Sequence, residues 1–212
     1  VLAVIFWWKD LLKVKVWAIL SFLIVGLSFI PIATSVTARP AMVTVFSDEK
    51  YIKNSIELIR QDNNFIGNII HNRRLEYGAV IAKNYLDHFD FSFLFLTGDG
   101  GRQHHAVDMG MLYLIEFIFI VAGIVFLVFH RTKEGILFLI LFALAPLPSA
   151  LTTGTPHPVR AMGMMPFFHI FTAIGLIALI NKRIFKILIS MVLVLNCFYY
   201  FHQYYIHTPI EY

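Results

Sequence analysis

Four long apolar runs, at residues 111–129, 136–151, 161–180 and 185–201, follow one another with only short polar breaks, and a fifth lies at 17–36. An α-helix needs about 20 mostly apolar residues to cross the hydrocarbon of a bilayer. Runs of this length, so closely spaced, leave a chain little choice but to span a membrane. The composition agrees, with 58% hydrophobic and 14% charged residues, against about 45–50% and about 25% in a soluble domain. The predicted fold is therefore an all-α polytopic membrane protein with about five transmembrane helices and a long extracytoplasmic loop carrying amphipathic helices. Pro146 and Pro148 close the third run and are expected to kink it, because proline lacks the N–H that a helix needs. Residues 1–8 read as the stump of a further helix. The opening has no Met and no charged n-region, so an internal piece of a longer protein is expected rather than a signal peptide.

Lysine and arginine orient the spans. Lys9, Lys13 and Lys15 precede the first, Arg131 and Lys133 separate the second and third, and Lys182, Arg183 and Lys186 separate the fourth and fifth. The short loop on the other side carries Arg160 alone. This predicts a cytoplasmic N-terminus and an extracytoplasmic C-terminus. Four regions follow: a first segment and span at 1–36, an extracytoplasmic loop at 37–110, a four-helix transmembrane region at 111–201 and an extracytoplasmic tail at 202–212. The net charge of +4 is read as basic loops facing anionic lipid, not as nucleic-acid binding. The single cysteine, Cys197, allows no internal disulfide and matches no zinc signature. There is no Asn-x-Ser/Thr sequon, which fits a bacterial plasma membrane.

The loop has helical patterning. In "SDEKYIKNSIELIRQ" Ser47 is the expected cap, Asp48 and Glu49 lie in the first turn, and Ile52, Ile56 and Ile59 recur at helical spacing. A second helix is expected in "EYGAVIAKNYLDHF", with Val80, Ile81, Tyr85, Leu86 and Phe89 as its apolar set. Next comes "FDFSFLF", with phenylalanine at 89, 91, 93 and 95. Lys83, Asp87, His88 and Asp90 argue against a span, since each central charge costs about 2.5–3.5 kcal/mol. The stretch is predicted to lie on the outer interface, aromatics toward lipid, with the turn "TGDGGRQHH" standing over the membrane.

Three groups of residues could carry chemistry. Asp99, Arg102, His104, His105 and Asp108 fall within ten residues and offer acids, a fixed cation and imidazoles to a phosphate headgroup or an acceptor. A divalent metal is conceivable, but the spacing matches no standard pattern, and a merely polar turn is the competing explanation. His157, held between two prolines, and Arg160 could grip a lipid phosphate, or Arg160 could simply snorkel. Glu116 reads as an intramembrane carboxylate, functional or structural. It is expected at the same depth as Arg160 and is predicted to pair with it directly or through one water. His169 and Asn196 are explained by interhelical hydrogen bonds. The chain has no P-loop, G-x-S-x-G or H-E-x-x-H motif.

The segments "NRRLEYGAVIAKNYLDHFDFSFLFLTGD", "RQHHAVDMGMLYLIEFIFIVAGI" and "TPHPVRAMGMMPFFHIFTAIGL" resemble bacterial membrane glycosyltransferases of the GT-C superfamily. The nearest branch is that of protein mannosyltransferases and aminoarabinose transferases. The resemblance covers residues 47–212, roughly the C-terminal membrane half of such an enzyme. It implies transfer of a sugar from a polyprenyl-phosphate carrier to a protein, lipid or glycan acceptor on the outer face, with no further cofactor. It also implies an acidic general base in a first outer loop, absent from this chain, and cationic groups that stabilise the departing phosphate. Asp99, Arg102, His104, His105, His157 and Arg160 are then the residues expected to face carrier or acceptor. A non-catalytic membrane module or half of a transporter is the alternative, although broken helices with mid-membrane charges would be more typical of a transporter.

Overall fold

The computed structural model describes residues 2–34, 43–101 and 104–211. Residues 35–42, which include the end of the first expected span and the start of the loop, and Arg102 lie outside the described residues. The chain divides into two units, 1–42 and 43–212. The first contains α1 (Leu2–Lys13) and α2 (Lys15–Thr34). Helix α2 matches the first expected span and is apolar over Lys15–Leu27.

In the second unit come α3 (Glu49–Asp62), α4 (Phe65–Ile70) and α5 (Arg73–Asp87), followed by a π-helical turn at Ser92–Leu96. Then follow α6 (Glu116–His130), α7 (Lys133–Leu144), α8 (Leu147–Ala150), α9 (Met165–Leu179) and α10 (Arg183–His202). A second π turn at Gln203–His207 leads into α11 (Thr208–Glu211). Outside these helices, the described residues hold one isolated antiparallel bridge, Thr44 to Thr152.

Short polar side chains start the helices where they can take up orphan N–H groups. Asp48, Asn64, Asn72 and Thr132 accept from the backbone N–H of Lys50, Gly67, Arg74 and Gly135. The cap of α3 is thus Asp48, one residue after the expected Ser47.

Among the described residues, three helical stretches are long and apolar enough to cross a membrane: Lys133–Ala150, Met162–Leu179 and Arg183–Ile210. The first is interrupted between α7 and α8 at Pro146, as its prolines predict. The last runs straight through the segment expected to be a tail. The second expected run, 111–129, forms a helix only from Glu116. Its 15 residues reach about 22 Å, less than the roughly 30 Å of hydrocarbon. Glu116 therefore begins a helix instead of sitting inside one.

Helices α6 and α9 meet backbone to backbone. A Cβ on Gly123 would lie 2.0 Å from the Phe171 carbonyl oxygen, and one on Gly175 would lie 1.9 Å from that of Phe119. No larger residue fits at either place. The contacts advance in step, with Glu116 near His169 and Thr172, so the two helices run parallel and start at the same end.

Around this crossing Phe93, Leu94, Phe95, Leu112, Ile120, Leu127, Met164, Phe168 and Phe171 form the core. Phe142 of α7 meets the rings of Phe89, Phe168 and Phe171 edge-on.

This corrects the expectation for "FDFSFLF". Phe93 and Phe95 are 3% and 7% exposed, so they fill the protein core and do not face lipid. The π turn places three consecutive residues, Phe93 to Phe95, against the helices, which a strand-like alternation could not do. The returning chain fixes the turn through Leu112 N–H to the Leu94 carbonyl at 2.8 Å. Phe91 and Leu96 remain exposed.

Gly175→Ala should lower thermal stability in detergent by about 1–3 kcal/mol, the usual cost of overpacking. Gly78 in mid-α5 has nothing within 4 Å of its Cβ position, so Gly78→Ala should raise stability by about 0.5–1 kcal/mol. Melting curves of both variants check the pair.

Candidate functional site

Two loops lead into the parallel helices, residues 97–115 into α6 and residues 151–164 into α9, and their polar side chains meet. Asp99 is nearly buried and lies 2.7 Å from His104 Nδ1. His105 Nε2 is 2.9 Å from the Asp99 backbone carbonyl, and its Nδ1 is 2.9 Å from that of Ala106. The glycines of "GDGG" make room for these rings. A Cβ on Gly98, whose φ is +71°, would lie 2.6 Å from the His105 ring, and one on Gly101 would lie 2.7 Å from His104 Nδ1.

From the other loop His157 brings its ring to 4.8 Å from that of His104. Arg160 Nη1 donates to Thr152 Oγ1 and to the Thr153 carbonyl, both at 2.8 Å. The sequence candidates Asp99, His104, His105, His157 and Arg160 thus belong to one cluster. Asp108 stands apart in an exposed turn with φ of +52°.

Two buried atoms in the cluster, Asp99 Oδ1 and His157 Nδ1, have no hydrogen-bond partner among the described residues. Burial pushes the His157 pKa below its ordinary value, and the charges of Arg160 and His104 act in the same direction. At neutral pH His157 is an uncharged imidazole beside a guanidinium. Such a set can receive a ligand that both accepts and donates hydrogen bonds, or a phosphate held by Arg160. Among the described residues, no three His, Cys, Asp or Glu side chains are placed to share a metal ion.

Glu116 makes no direct ion pair with Arg160. Its Oε1 accepts the Tyr113 N–H at 3.3 Å, and its Oε2 accepts the Thr172 hydroxyl at 3.2 Å and lies 3.5 Å from His169 Nδ1. Because α6 starts at Glu116, the carboxylate reaches back to cap its own helix, while Arg160 is committed to the loop. Glu116 instead lines a separate cavity of about 290 Å³ with Tyr113, His169 and Tyr200.

The residues that position the site were not all evident from sequence. His88 is fully buried, with Nδ1 2.7 Å from the Asn84 carbonyl and Nε2 2.7 Å from Ser149 Oγ. Asn84 Nδ2 donates to the carbonyls of Ala150 and Thr152, both at 3.1 Å. Tyr85 donates to the Ala143 carbonyl. The bonds from Asn84 and Tyr85 take up carbonyls at the C-terminal ends of α7 and α8; with the His88 contact to Ser149 they hold residues 149–152, and Thr152 and Thr153 in turn bind Arg160. Asn84 and His88 are four apart on a helix, beside Ile81 and Tyr85. A polar pair at that spacing on an otherwise apolar face was the available signal.

No protein-family model matches the chain, and neither curated proteins nor solved structures provide a match.

Burial lowers the pKa of His88. The unfolded chain, with an ordinary value near 6.5, then binds the proton more readily. Stability should be full above about pH 6.5 and fall as the pH drops below it. His88→Ala should cost about 2–4 kcal/mol through lost packing and a stranded Ser149 hydroxyl, and should flatten that slope. Thermal melts at stepped pH check this; an unchanged slope would assign the pH dependence to other groups.

Proposed function

We propose that this chain is the carrier-facing membrane part of an integral-membrane glycosyltransferase. The enzyme moves a sugar from a polyprenyl-phosphate carrier to a protein, lipid or glycan acceptor on the outer face of a bacterial plasma membrane. The observation that supports it best is the meeting of two loops, some fifty residues apart in sequence, at the common start of α6 and α9. Arg131, Lys133, Lys182 and Arg183 lie at or just beyond the other ends of these helices. By the positive-inside rule those ends are cytoplasmic, and the cluster of Asp99, His104, His105, His157 and Arg160 is external. The N-terminus is then cytoplasmic, the C-terminus external and residues 37–110 extracytoplasmic, with α2 the first of five spans and α6 crossing as the second together with residues 111–115.

In this reading the acceptor hydroxyl oxygen bonds to the anomeric carbon as the bond from that carbon to the carrier phosphate breaks. The bonding pair leaves with the phosphate, and Arg160 stabilises the added charge. The hydroxyl proton goes to the acidic base that the resemblance implies in a first outer loop. No residue of the present cluster takes that role.

The chain in lipid nanodiscs should bind polyprenyl monophosphate well above the corresponding polyprenol. A charged hydrogen bond to phosphate contributes about 1.5–3 kcal/mol, so Arg160→Ala should weaken binding about 10- to 150-fold. Equal binding of polyprenol and its phosphate would leave the non-catalytic module or transporter half as the better reading. For orientation, in a Cys197→Ser background, a cysteine at Lys53 should be labelled from outside and one at Thr132 spared; the reverse pattern would invert the topology.

A further inference from the structure

Helix α4 displays its apolar side chains outward. Phe65, Ile66, Ile69 and Ile70 are 78, 64, 52 and 56% exposed, and within α4 only Gly67 is buried. Four large apolar side chains in a helix of six residues, "FIGNII", make an unusual tip for a loop in water. Helix α5 continues the theme. Leu75, Ala79, Ala82 and Leu86 are all exposed and recur at intervals of four, three and four, one stripe along a helix. The opposite face carries Asn84 and His88, which bind residues 149–152.

That attachment fixes the height of α5. Residues 149–152 lie at the end of the spanning stretch Lys133–Ala150, so the C-terminal end of α5 is pinned at the membrane surface. An upright α5 of 15 residues would carry the tip about 22 Å into water. A flat one lays its apolar stripe on the bilayer.

The rim of the tip carries Arg60, Arg73 and Arg74, all exposed. Glu57, Asp62 and Glu76 beside them bond to Gln61, His71 and Asn54, so among the described residues no carboxylate takes up these guanidinium groups.

We infer that α4 and the Leu75–Leu86 stripe of α5 are embedded in the outer leaflet beside the spanning helices, with Arg60, Arg73 and Arg74 gripping anionic lipid headgroups. Apolar side chains entering the acyl boundary below a polar rim are the general form of an interfacial anchor, and arginines in that rim reach headgroup phosphates. The inference rests on the spanning helices and not on sugar transfer, so carrier binding and anchoring fail or survive separately.

The test places a single spin label on the full chain, in a Cys197→Ser background, at Ile66, Ala82 or Lys53. The protein is reconstituted in vesicles of phosphatidylcholine with or without phosphatidylglycerol. Collision rates with oxygen and with a water-soluble nickel complex then report depth. At Ile66 and Ala82 oxygen should dominate, with Ile66 about 5–10 Å below the headgroups, whereas nickel should dominate at Lys53. Withdrawing phosphatidylglycerol, or combining Arg73→Glu with Arg74→Glu, should move the Ile66 label toward water. Nickel dominance at Ile66 would return the tip to solvent and overturn the anchor. Low collision with both reagents would show another protein segment covering it and overturn it equally. A depth indifferent to anionic lipid would overturn the role of the arginines. The labelled side chains are already exposed, so the fold survives each substitution.

Discussion

Helices α6 and α9 touch at the level of their main chains, and the arrangement of the second unit rests on that contact. Between helices in lipid there is no hydrophobic drive, because acyl chains are as apolar as leucine. Association then depends on how closely two backbones approach. Gly123 and Gly175 permit the approach, each facing a carbonyl of the partner, where Cα–H groups make weak hydrogen bonds. The contact also fixes register. With α6 and α9 in step, their entering loops emerge side by side, and His104 meets His157 as a consequence.

The second structural device is polar. The helix breaks at Pro146, and carbonyls on either side of the break cannot remain unpaired in a buried corner. Asn84 and Tyr85 donate to those of Ala150 and Ala143, His88 accepts from Ser149, and Thr152 and Thr153 in turn hold Arg160. A break in one spanning stretch thus secures α5 on one side and the arginine of the site on the other. The neutral His88 suits this place, since one ring nitrogen donates to a carbonyl while the other accepts from Ser149.

Much of this could be read from the residues. The last three runs appear as helices, the proline break falls where expected, and Asp99, His104, His105, His157 and Arg160 lie together, without Asp108. What escaped were features set by tertiary contact. The alternation of phenylalanine in "FDFSFLF" imitates a surface element, but a turn followed by a returning strand of backbone buries three residues in a row. The apolar run at 111–129 gave no sign that its first five residues are turns, because Met111, Leu112 and Leu114 are as apolar there as in a helix. The glycine crossing did leave a mark. Phe119-x-x-x-Gly123 and Phe171-x-x-x-Gly175 repeat one pattern in the two helices that meet. Exposed "FIGNII" was passed over because its apolar stretch is far shorter than a span.

The stretch Arg183–Ile210 contains 28 residues, and α10 within it has no buried residue. At 1.5 Å per residue it measures about 42 Å, well beyond the roughly 30 Å of hydrocarbon. It must lean or protrude, by an amount set by the thickness of the bilayer. Tyr199, Tyr200, Tyr204 and Tyr205 lie in its C-terminal half, with Tyr200 stacked on Tyr204. Tyr200 is also a wall of the cavity beside Glu116. A thinner membrane would tilt this mast further and shift that wall, so the size of the cavity becomes a gauge of the lipid around it.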